Sequence, residues 1–253
     1  MQLDQVKAAI TGGASGLGLA VAEFLRARGA AVALLDIQDL KGQAEAERLG
    51  SHYFRTDVSD EAGAAASLKA AQAALGGLNV AVNCAGILGA GRVLGKNGPM
   101  ALSQFETTIR VNLIGSFNVA KAAADLMQHN APGEDGERGL IVNTASVAAF
   151  EGQIGQAAYA ASKGGVVGMT LPIARELARF GIRMHTIAPG IFLTPMAGGM
   201  PPEVQASLSA QIPFPARLGT PEEFADAVAF VIANRYLNGG TLRLDGAVRL
   251  QAK

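Results

Sequence analysis

Residue types that mark several classes of protein are scarce in this sequence. Its 253 residues include one cysteine, Cys84, no tryptophan and three histidines. A single cysteine excludes an internal disulfide and any metal site built from a cluster of cysteines. The histidines at positions 52, 129 and 185 are widely scattered along the chain, which gives a metal site little support. We therefore predict that the protein holds no metal.

Net charge and long apolar runs are missing as well. Lys and Arg total 21, Asp and Glu total 21, and the pI is near 6.8. A surface for nucleic acid or anionic membrane would need a basic excess, and no apolar run approaches the ~18 residues of a membrane span. Because Met1 stands six residues before Lys7 and the first strand-like run, no signal or transit peptide is expected. The sequence predicts a soluble, cytoplasmic protein without nucleic-acid or membrane partners.

Apolar residues, in contrast, make up 49% of the chain, enough at this length for a full core. Helical, often alanine-rich stretches alternate with strand-like apolar runs at residues 7–10, 31–35, 52–55, 78–82, 139–142, 183–187 and 241–244. Alternating strands and helices predict a parallel sheet with helices on both faces. The expected fold class is therefore α/β, a doubly wound parallel sheet forming a single domain over residues 1–253.

A glycine-rich turn follows the first strand. Residues 11–18 read TGGASGLG and lead into a helix, the context that a dinucleotide fingerprint requires. The glycines permit a tight turn, close approach of the backbone to a pyrophosphate and close helix packing, and the helix N-terminus meets the phosphates. A glycine turn alone is either a nucleotide loop or only a turn. Here it predicts a Rossmann-type cofactor site at Gly12, Ser15, Gly16, Leu17 and Gly18.

An acidic residue then ends the second strand, 18 positions after the last glycine of the turn. Asp36 stands where the adenosine ribose 2′-hydroxyl is held in such folds. Its carboxylate would repel a 2′-phosphate, while Ile37 and the glycine turn offer no arginine or lysine to receive one. NAD is therefore predicted rather than NADP.

Later strand ends supply the other predicted cofactor contacts. Asp57 either bonds adenine or only starts the next turn, and Cys84 is expected to be a packed small side chain rather than a nucleophile. Thr194 is expected to bond the nicotinamide carboxamide. The predicted set is Asp57, Val58, Cys84, Ala85, Gly86, Tyr159, Lys163, Pro189, Gly190, Phe192 and Thr194.

The stretch 146–163 carries the candidate chemistry. Tyr159 and Lys163 are four residues apart, so on a helix they share one face, and a nearby ammonium favours the phenolate and lowers the phenol pKa. Such a tyrosine can move a proton to or from a carbinol oxygen, which Ser146, 13 residues upstream at a strand end, can also bond. The alternative is an amphipathic helix in which the tyrosine and lysine occur by chance.

Asn112 is the fourth candidate, because an asparagine flanked by apolar residues inside a helix is unfavourable without a polar partner. Either it bonds a buried carbonyl or holds a water for proton transfer, or it lies on the surface. Ser103 with Glu106, and Thr220 with Glu223, have the spacing of capping boxes, so helices are expected to begin there.

Together these motifs resemble the classical short-chain dehydrogenase/reductases, essentially end to end. Residues 11–18 match the family's TGxxxGxG and residues 83–86 its NNAG, with Cys84 in place of the second asparagine. The resemblance implies that Tyr159 is the general acid/base, that Lys163 also binds the nicotinamide ribose and that Ser146 positions the substrate oxygen. It implies that Asn112 supports a water-linked proton path, which completes a catalytic tetrad.

Longer stretches, among them NTASVAAFEGQIGQAAYAASKGG and the RLDGA near the end, are similar to the 3-hydroxyacyl-CoA dehydrogenase (type 2) branch of this family. That similarity implies an acyl-CoA or another secondary alcohol or ketone as substrate, NAD as cofactor and a homotetramer. Gln153 and Gln156 are then expected to bond a thioester carbonyl. Arg92 and Lys96, in an irregular glycine-rich loop at 87–101, either receive the CoA phosphates or are solvated loop residues.

A substrate lid is predicted at about residues 191–215, with Phe192, Met196 and Met200 able to cover an acyl chain. Other activities stay open at this point: a hydroxysteroid or general secondary-alcohol dehydrogenase, a 3-oxoacyl-carrier-protein reductase, or a nucleotide-binding scaffold without catalysis. Asp36 disfavours the NADPH-dependent carrier-protein reductases, and an intact Ser146, Tyr159 and Lys163 disfavours a scaffold. An enoyl reductase of this family would carry its tyrosine and lysine further apart.

Overall fold

The structure, a computed structural model, describes residues 1–96, 98–194 and 202–252. Nine strands are present in the described residues. They are β1 (Lys7–Thr11), β2 (Ala31–Asp36), β3 (His52–Arg55), β4 (Val80–Asn83), β5 (Leu94–Gly95), β6 (Gly98–Pro99), β7 (Gly139–Thr144), β8 (Ile182–Pro189) and β9 (Thr241–Leu244). All but β5 and β6 form one parallel sheet, as predicted.

Eight α-helices accompany these strands in the same residues. They are α1 (Gly16–Arg26), α2 (Asp39–Leu49), α3 (Glu61–Leu75), α4 (Leu102–Ile109), α5 (Gly115–Met127), α6 (Ala157–Leu177), α7 (Pro202–Ser209) and α8 (Pro221–Ala233). A single π-helical segment, Arg110–Ile114, joins α4 to α5. None of the helices formed by the described residues is both long and apolar enough to cross a membrane.

The strand order places a ligand-binding crevice at the carboxyl ends of the central strands. Across the sheet the order is β3-β2-β1-β4-β7-β8-β9. The chain proceeds from β1 to β2 on one side and returns to β4 on the other, so the order reverses beside β1. Ligands of open parallel sheets bind outside the carboxyl ends of the strands at this reversal. Thr11 and Asn83, the last residues of β1 and β4, are direct partners there.

Helices cover both faces, as the alternation predicted. Neighbouring residues of a strand point to opposite faces of the sheet. Ile10 and Leu34 pack with α1 and α8 on one face, whereas Ala9 and Leu35 pack with α3, α5 and α6 on the other. All four are buried. Burial on both faces is why the strands read as continuous apolar runs in the sequence.

One of the two predicted capping boxes is wrong. Helix α8 begins at Pro221 with Thr220 as N-cap, and the Thr220 N–H donates to Glu223 Oε2 at 2.8 Å, as predicted. Helix α4 instead begins at Leu102, with Ala101 in extended conformation as N-cap and no capping side chain. Ser103 therefore already lies inside the first turn, where its side chain cannot cap the helix.

Two predicted loops contain more structure than expected. The stretch 87–101 was predicted to be irregular but includes the β5–β6 hairpin. At the start of the predicted lid, the Leu193 N–H donates to Gly219 O at 2.8 Å and the Gly219 N–H donates to Ile191 O at 3.0 Å. These bonds anchor residues 191–193. Met196 and Met200 lie outside the described residues, so the lid itself stays a prediction.

Candidate active site

The glycine turn after β1 presses against the loop after β4. A Cβ atom on Gly12, which has φ +64°, would lie 2.8 Å from the Ala85 backbone nitrogen, and one on Gly18 would lie 2.4 Å from the Gly12 carbonyl oxygen. Gly16 opens α1, and Ser15, its N-cap, makes no capping bond with its side chain. The first N–H groups of a helix have no partner within it. The turn therefore brings the N-terminus of α1 to the crevice, as a phosphate cradle requires.

Asp36 lies beside this turn and is buried. Its Oδ2 accepts a hydrogen bond from the Ala14 N–H and its Oδ1 accepts one from the Gln38 N–H, both at 3.1 Å. Gln38 Nε2 also donates to Oδ1, over a longer distance of 3.4 Å. A carboxylate offers about four acceptor positions, so one is unused and a second is held only by this long bond. Arg55 is the direct partner of Asp36 on β3, a neighbour that the sequence did not reveal. Its guanidinium is paired with Asp39 at 3.1 Å.

The structure places Asp57 in the turn that was the alternative to an adenine contact. Its Oδ1 accepts bonds from the Ser59 N–H at 2.9 Å and the Ser59 hydroxyl at 2.7 Å. Val58 is buried, and its carbonyl accepts a bond from Asn118 Nδ2 at 3.0 Å. Asp57 thus starts the next turn in this structure. Its contact with adenine stays a prediction.

The loop after β4 is held by the side chain of Thr11. The Thr11 hydroxyl oxygen accepts bonds from the Cys84 and Ala85 N–H groups, both at 3.2 Å. Burial raises the pKa of the Cys84 thiol to about 11, so the thiol is protonated at neutral pH. A protonated thiol is a poor nucleophile, which agrees with the predicted packing role of Cys84.

Ser146 and Tyr159 meet at the carboxyl end of β7. Ser146 caps the short turn Val147–Ala149, where its Oγ accepts a bond from the Ala148 N–H at 3.1 Å. Tyr159 lies in the first turn of α6, where the Ser146 side chain is close enough to lower the pKa of its phenol. Thirteen residues of sequence therefore separate two groups that interact at this end of the strand.

Lys163 lies next to Tyr159 but is directed elsewhere. It is buried, with its Nζ 5.9 Å from the centre of the Tyr159 ring, and it donates a 2.7 Å bond to the Thr144 carbonyl. Burial lowers the Lys163 pKa to about 8. The Tyr159 pKa is raised by burial and lowered, to a smaller extent, by the neighbouring Ser146 side chain. This direction is opposite to the one expected from the sequence, because desolvation of the phenol outweighs the neighbouring polar groups.

Asn112 is fully buried in the π-helical segment, so the surface alternative is wrong. Its Oδ1 accepts a bond from the Ile87 N–H at 2.8 Å, and its Nδ2 donates to the Ile87 carbonyl at 2.9 Å and to Ser162 Oγ at 3.0 Å. Ser162 in turn donates to the Tyr159 carbonyl at 2.7 Å. Ser162 was missed in the sequence, where only its place next to Lys163 marks it. Such π segments are frequent at functional sites.

The predicted cofactor loop and the predicted catalytic group form one site. A Cβ atom on Gly86 would lie 3.2 Å from Asn112 Oδ1 and 3.6 Å from Lys163 Nζ. At the end of β8, after Pro189, the Gly190 N–H donates to the Leu244 carbonyl at 2.9 Å. The crevice thus combines a helix N-terminus, a carboxylate and a Ser–Tyr–Lys group, which fits a dinucleotide. Elsewhere in the described ranges, no three or more His, Cys, Asp or Glu side chains are grouped to hold a metal.

Phe192 differs from its predicted role. Its ring is buried and packs edge-on against Phe224, with 6.4 Å between the ring centres. The side chain is therefore part of the core and is not free to cover an acyl chain, which leaves only the Phe192 backbone for a ligand. The Phe192 carbonyl accepts a bond from the Thr194 N–H at 2.9 Å.

The predicted substrate residues lie on two loops that touch. The Gly91 N–H donates to the Gly155 carbonyl at 2.8 Å, which brings the loop of Arg92 and Lys96 beside the loop of the two glutamines. Both cations are exposed. The glutamines bond each other: the Gln153 N–H donates to Gln156 Oε1 at 3.1 Å, and Gln156 Nε2 donates to Gln153 Oε1 at 3.3 Å.

Comparison with known proteins gives matches over nearly the whole chain. A family model described as Enoyl-(Acyl carrier protein) reductase matches residues 12–248. The chain is 52% identical over 248 residues to 3-hydroxyacyl-CoA dehydrogenase type-2 of Homo sapiens, covering 96% of this chain and 95% of the relative. It is 36% identical over 263 residues to (3R)-3-hydroxyacyl-CoA dehydrogenase of Mus musculus, covering 98% of each.

A solved structure agrees with these matches. The crystal structure of 3-hydroxyacyl-CoA dehydrogenase type-2 from Mycobacterium avium superposes with a TM-score of 0.92 at 45% identity, over 97% of this chain and 96% of that chain. The protein is an oxidoreductase, and its family uses a nicotinamide cofactor. The motifs, the fold and the matches agree from end to end, and the chain belongs to the short-chain dehydrogenase/reductase family.

Proposed function

We propose that the protein is an NAD-dependent dehydrogenase that interconverts a 3-hydroxyacyl-CoA and a 3-oxoacyl-CoA. The observation that carries the proposal is the approach of Gly86 to Asn112 and Lys163, because it joins a dinucleotide crevice to a proton-transferring group. The human relative at 52% identity, named 3-hydroxyacyl-CoA dehydrogenase type-2, supports the choice of substrate. The test is steady-state oxidation of 3-hydroxybutyryl-CoA, a hydroxysteroid and simple secondary alcohols with NAD.

Tyr159 is the proton carrier in this proposal. During oxidation its phenolate takes the proton of the substrate hydroxyl, and during reduction its phenol returns that proton. A bound nicotinamide ring supplies the acceptor for the hydride of the carbinol carbon. Ser146, whose side chain lies close enough to Tyr159 to lower its pKa, holds the same substrate oxygen.

Lys163 and Asn112 support the proton transfer by Tyr159. Lys163 donates to the Thr144 carbonyl and keeps two further N–H donors, which we assign to the nicotinamide ribose. Asn112 fixes the loop at Ile87 on both its N–H and its carbonyl and supports a water-linked proton path. The further cofactor contacts in the proposal are Gly12, Ser15, Gly16, Leu17, Gly18, Asp36, Asp57, Val58, Cys84, Ala85, Gly86, Pro189, Gly190, Phe192 and Thr194.

Asp36→Ala is expected to weaken NAD binding and to reduce the preference of the enzyme for NAD over NADP. The variant loses a charged acceptor for two ribose hydroxyls, worth roughly 10–100-fold in affinity, and removes the repulsion of a 2′-phosphate. The measurement is kcat/KM with each cofactor. Asp125→Ala, an exposed aspartate on α5, is the matched control. A wild-type enzyme that prefers NADP would show that the proposed role of Asp36 is wrong.

The CoA portion of the substrate is proposed to meet Arg92 and Lys96. The Gly91–Gly155 bond sets their loop beside Gln153 and Gln156, which supports the proposal that both cations face the CoA portion of a substrate bound at Ser146. The two glutamines are proposed to face the thioester carbonyl.

Replacing 3-hydroxybutyryl-CoA by its N-acetylcysteamine thioester is expected to lower kcat/KM about tenfold, since the phosphates lose their cationic partners. Combining Arg92→Ala with Lys96→Ala should shrink that difference, whereas Lys69→Ala, an exposed lysine on α3, should not. Equal kcat/KM for the two thioesters would show that Arg92 and Lys96 do not bind the CoA phosphates. A higher kcat/KM for a steroid or simple alcohol would favour the corresponding alternative dehydrogenase.

Assembly as a homotetramer is part of the proposal. Ile114, Phe117 and Leu171 are apolar, lie on or next to α5 and α6, and are 43%, 45% and 44% exposed. Side chains of this kind in one region are typical of faces that pack against another subunit. Sedimentation analysis in solution measures the assembly directly.

A further inference from the structure

A clamp outside the predicted catalytic group fixes the loop at residues 150–156. Arg243, on β9, binds both oxygens of Glu151: Nη1 lies 2.7 Å from Oε1 and Nη2 lies 2.9 Å from Oε2. Its guanidinium carbon is also 5.1 Å from the centre of the Phe150 ring. The pair is about three-quarters buried on each side. A bidentate arginine–carboxylate pair fixes orientation as well as position.

The same loop is held on its other side by residues 248–252, which we call the strap. The Ile154 N–H donates to the Ala252 carbonyl at 3.0 Å, and Gln153 Nε2 donates to the Gln251 carbonyl at 3.2 Å. The strap is itself anchored, because Val248 is fully buried against Ile212 and Leu218. Arg243 Nη2 also donates to the Val248 carbonyl at 3.3 Å, which joins the clamp to the strap.

The loop between these two contacts has no helix or strand of its own. It runs from the turn after Ser146 to the start of the helix that carries Tyr159, and it holds Gln153 and Gln156. A loop without regular backbone hydrogen bonds of its own depends for its geometry on bonds to other parts of the chain. Here those bonds come from a strand and a strap about 90 to 100 residues away in sequence.

We propose that Arg243 and the strap are positioning elements for substrate: they set where Gln153 and Gln156 face the acyl chain. The inference rests on the proposed function, since it assigns the loop to the substrate. Gln153 spends one side-chain donor on the strap and accepts from Gln156, so the strap fixes the rotamer that presents the remaining donor. Affinity for the substrate should therefore depend on the strap, while affinity for NAD should not.

The test uses two variants that release the loop from different sides. Deletion of residues 251–253 removes the two carbonyl acceptors. Glu151→Ala removes the carboxylate that joins the loop to Arg243, while Arg243 keeps its 2.7 Å bond to Asp245. Each is expected to raise KM for 3-hydroxybutyryl-CoA about tenfold, with Kd for NAD unchanged. Glu151→Gln, which keeps one carbonyl acceptor, should recover part of the loss. Asp245 is left intact because it lies against Gly190, a predicted cofactor contact.

Arg235→Ala is the matched control. Arg235 also pairs with two acidic residues, Glu134 and Asp135. These precede β7 and so lie at the amino ends of the strands, opposite to the carboxyl ends where the site lies. Its loss should leave KM for the substrate unchanged. If the deletion and Glu151→Ala also leave KM unchanged, or raise Kd for NAD as much as KM, the positioning role is overturned.

Amide hydrogen exchange separates this inference from the proposed function. The Ile154 amide should exchange faster in the deletion variant and in Glu151→Ala than in the wild type and in Arg235→Ala. A wild-type enzyme that oxidises no CoA ester disproves the proposed function, and KM is then measured with the alcohol that it does oxidise. Unchanged exchange at Ile154 overturns the strap inference whichever substrate is used.

Discussion

Replacing Tyr159 by phenylalanine should lower kcat for alcohol oxidation by at least the ~10²–10⁴-fold typical of a positioned acid/base. The phenylalanine keeps the ring but has no oxygen to take the proton of the substrate hydroxyl. Binding of NAD should persist, because the glycine turn and Asp36 are untouched. Turnover is measured under saturating NAD, and cofactor affinity is measured separately by titration.

Tyr236→Phe is the matched control for this variant. The Tyr236 ring is 99% exposed, so loss of its hydroxyl should not change kcat. A Tyr159→Phe enzyme with near wild-type kcat would contradict the assignment. A loss of kcat accompanied by loss of NAD binding would point to disruption of the site rather than to a missing proton carrier.

The pH dependence of the wild type should carry the same signature. Because burial raises the Tyr159 pKa, the phenol is protonated at neutral pH, and kcat/KM for oxidation should rise with pH, by about tenfold per unit while little phenolate is present. Reduction of the ketone needs the protonated phenol and should fall as pH rises. Lys163, with a pKa of about 8, loses its proton at a lower pH than Tyr159 does. Tyr159→Phe should abolish both trends.

Gly18→Ala should weaken NAD binding by roughly 10–100-fold. The added Cβ would meet the Gly12 carbonyl oxygen at 2.4 Å and its carbon at 2.9 Å, and backbone atoms of a tight turn cannot move aside as a flexible side chain can. Overpacking of this kind costs about 1–3 kcal/mol, and here it displaces the phosphate cradle itself. Kd for NAD and the melting temperature without cofactor are the two measurements.

Gly168→Ala provides the control for Gly18→Ala. Gly168 lies inside α6, and a Cβ there meets no heavy atom within 4 Å. Because alanine is the better helix former by about 1 kcal/mol, this variant should bind NAD normally and melt no earlier than the wild type. If Gly18→Ala also binds NAD normally, the turn is not the tight cradle that its geometry indicates.

Features that depend on neighbouring residues could be predicted from the sequence. The strands follow apolar runs, and Gly12, Asp36, Ser146 and Tyr159 fall at strand ends or helix starts that local spacing identifies. Because parallel strands expose their carboxyl ends at one edge, these positions were expected to meet. The structure brings them to that edge.

Features that depend on distant pairing could not be predicted. Asn112 was recognised as unusual, yet its partner Ile87 lies 25 residues away, and nothing in either segment indicates the other. The bond between Gln153 and Gln251 spans 98 residues. The predicted direction of the Tyr159 pKa shift was also wrong. Sequence spacing reveals a charged neighbour, but it does not reveal the burial that outweighs this neighbour.

The π-helical segment Arg110–Ile114 lets this part of the chain absorb a change of length. Each residue of an α-helix turns the chain by about 100°, whereas a π turn accommodates one residue more than an α turn. Deleting one residue of the segment would therefore restore a regular helix and leave Ser116 and Val119, both buried, facing the sheet. The same deletion inside α5 would turn every later residue of that helix by about 100°. Changes of length among related sequences are therefore expected in the segment rather than within α5.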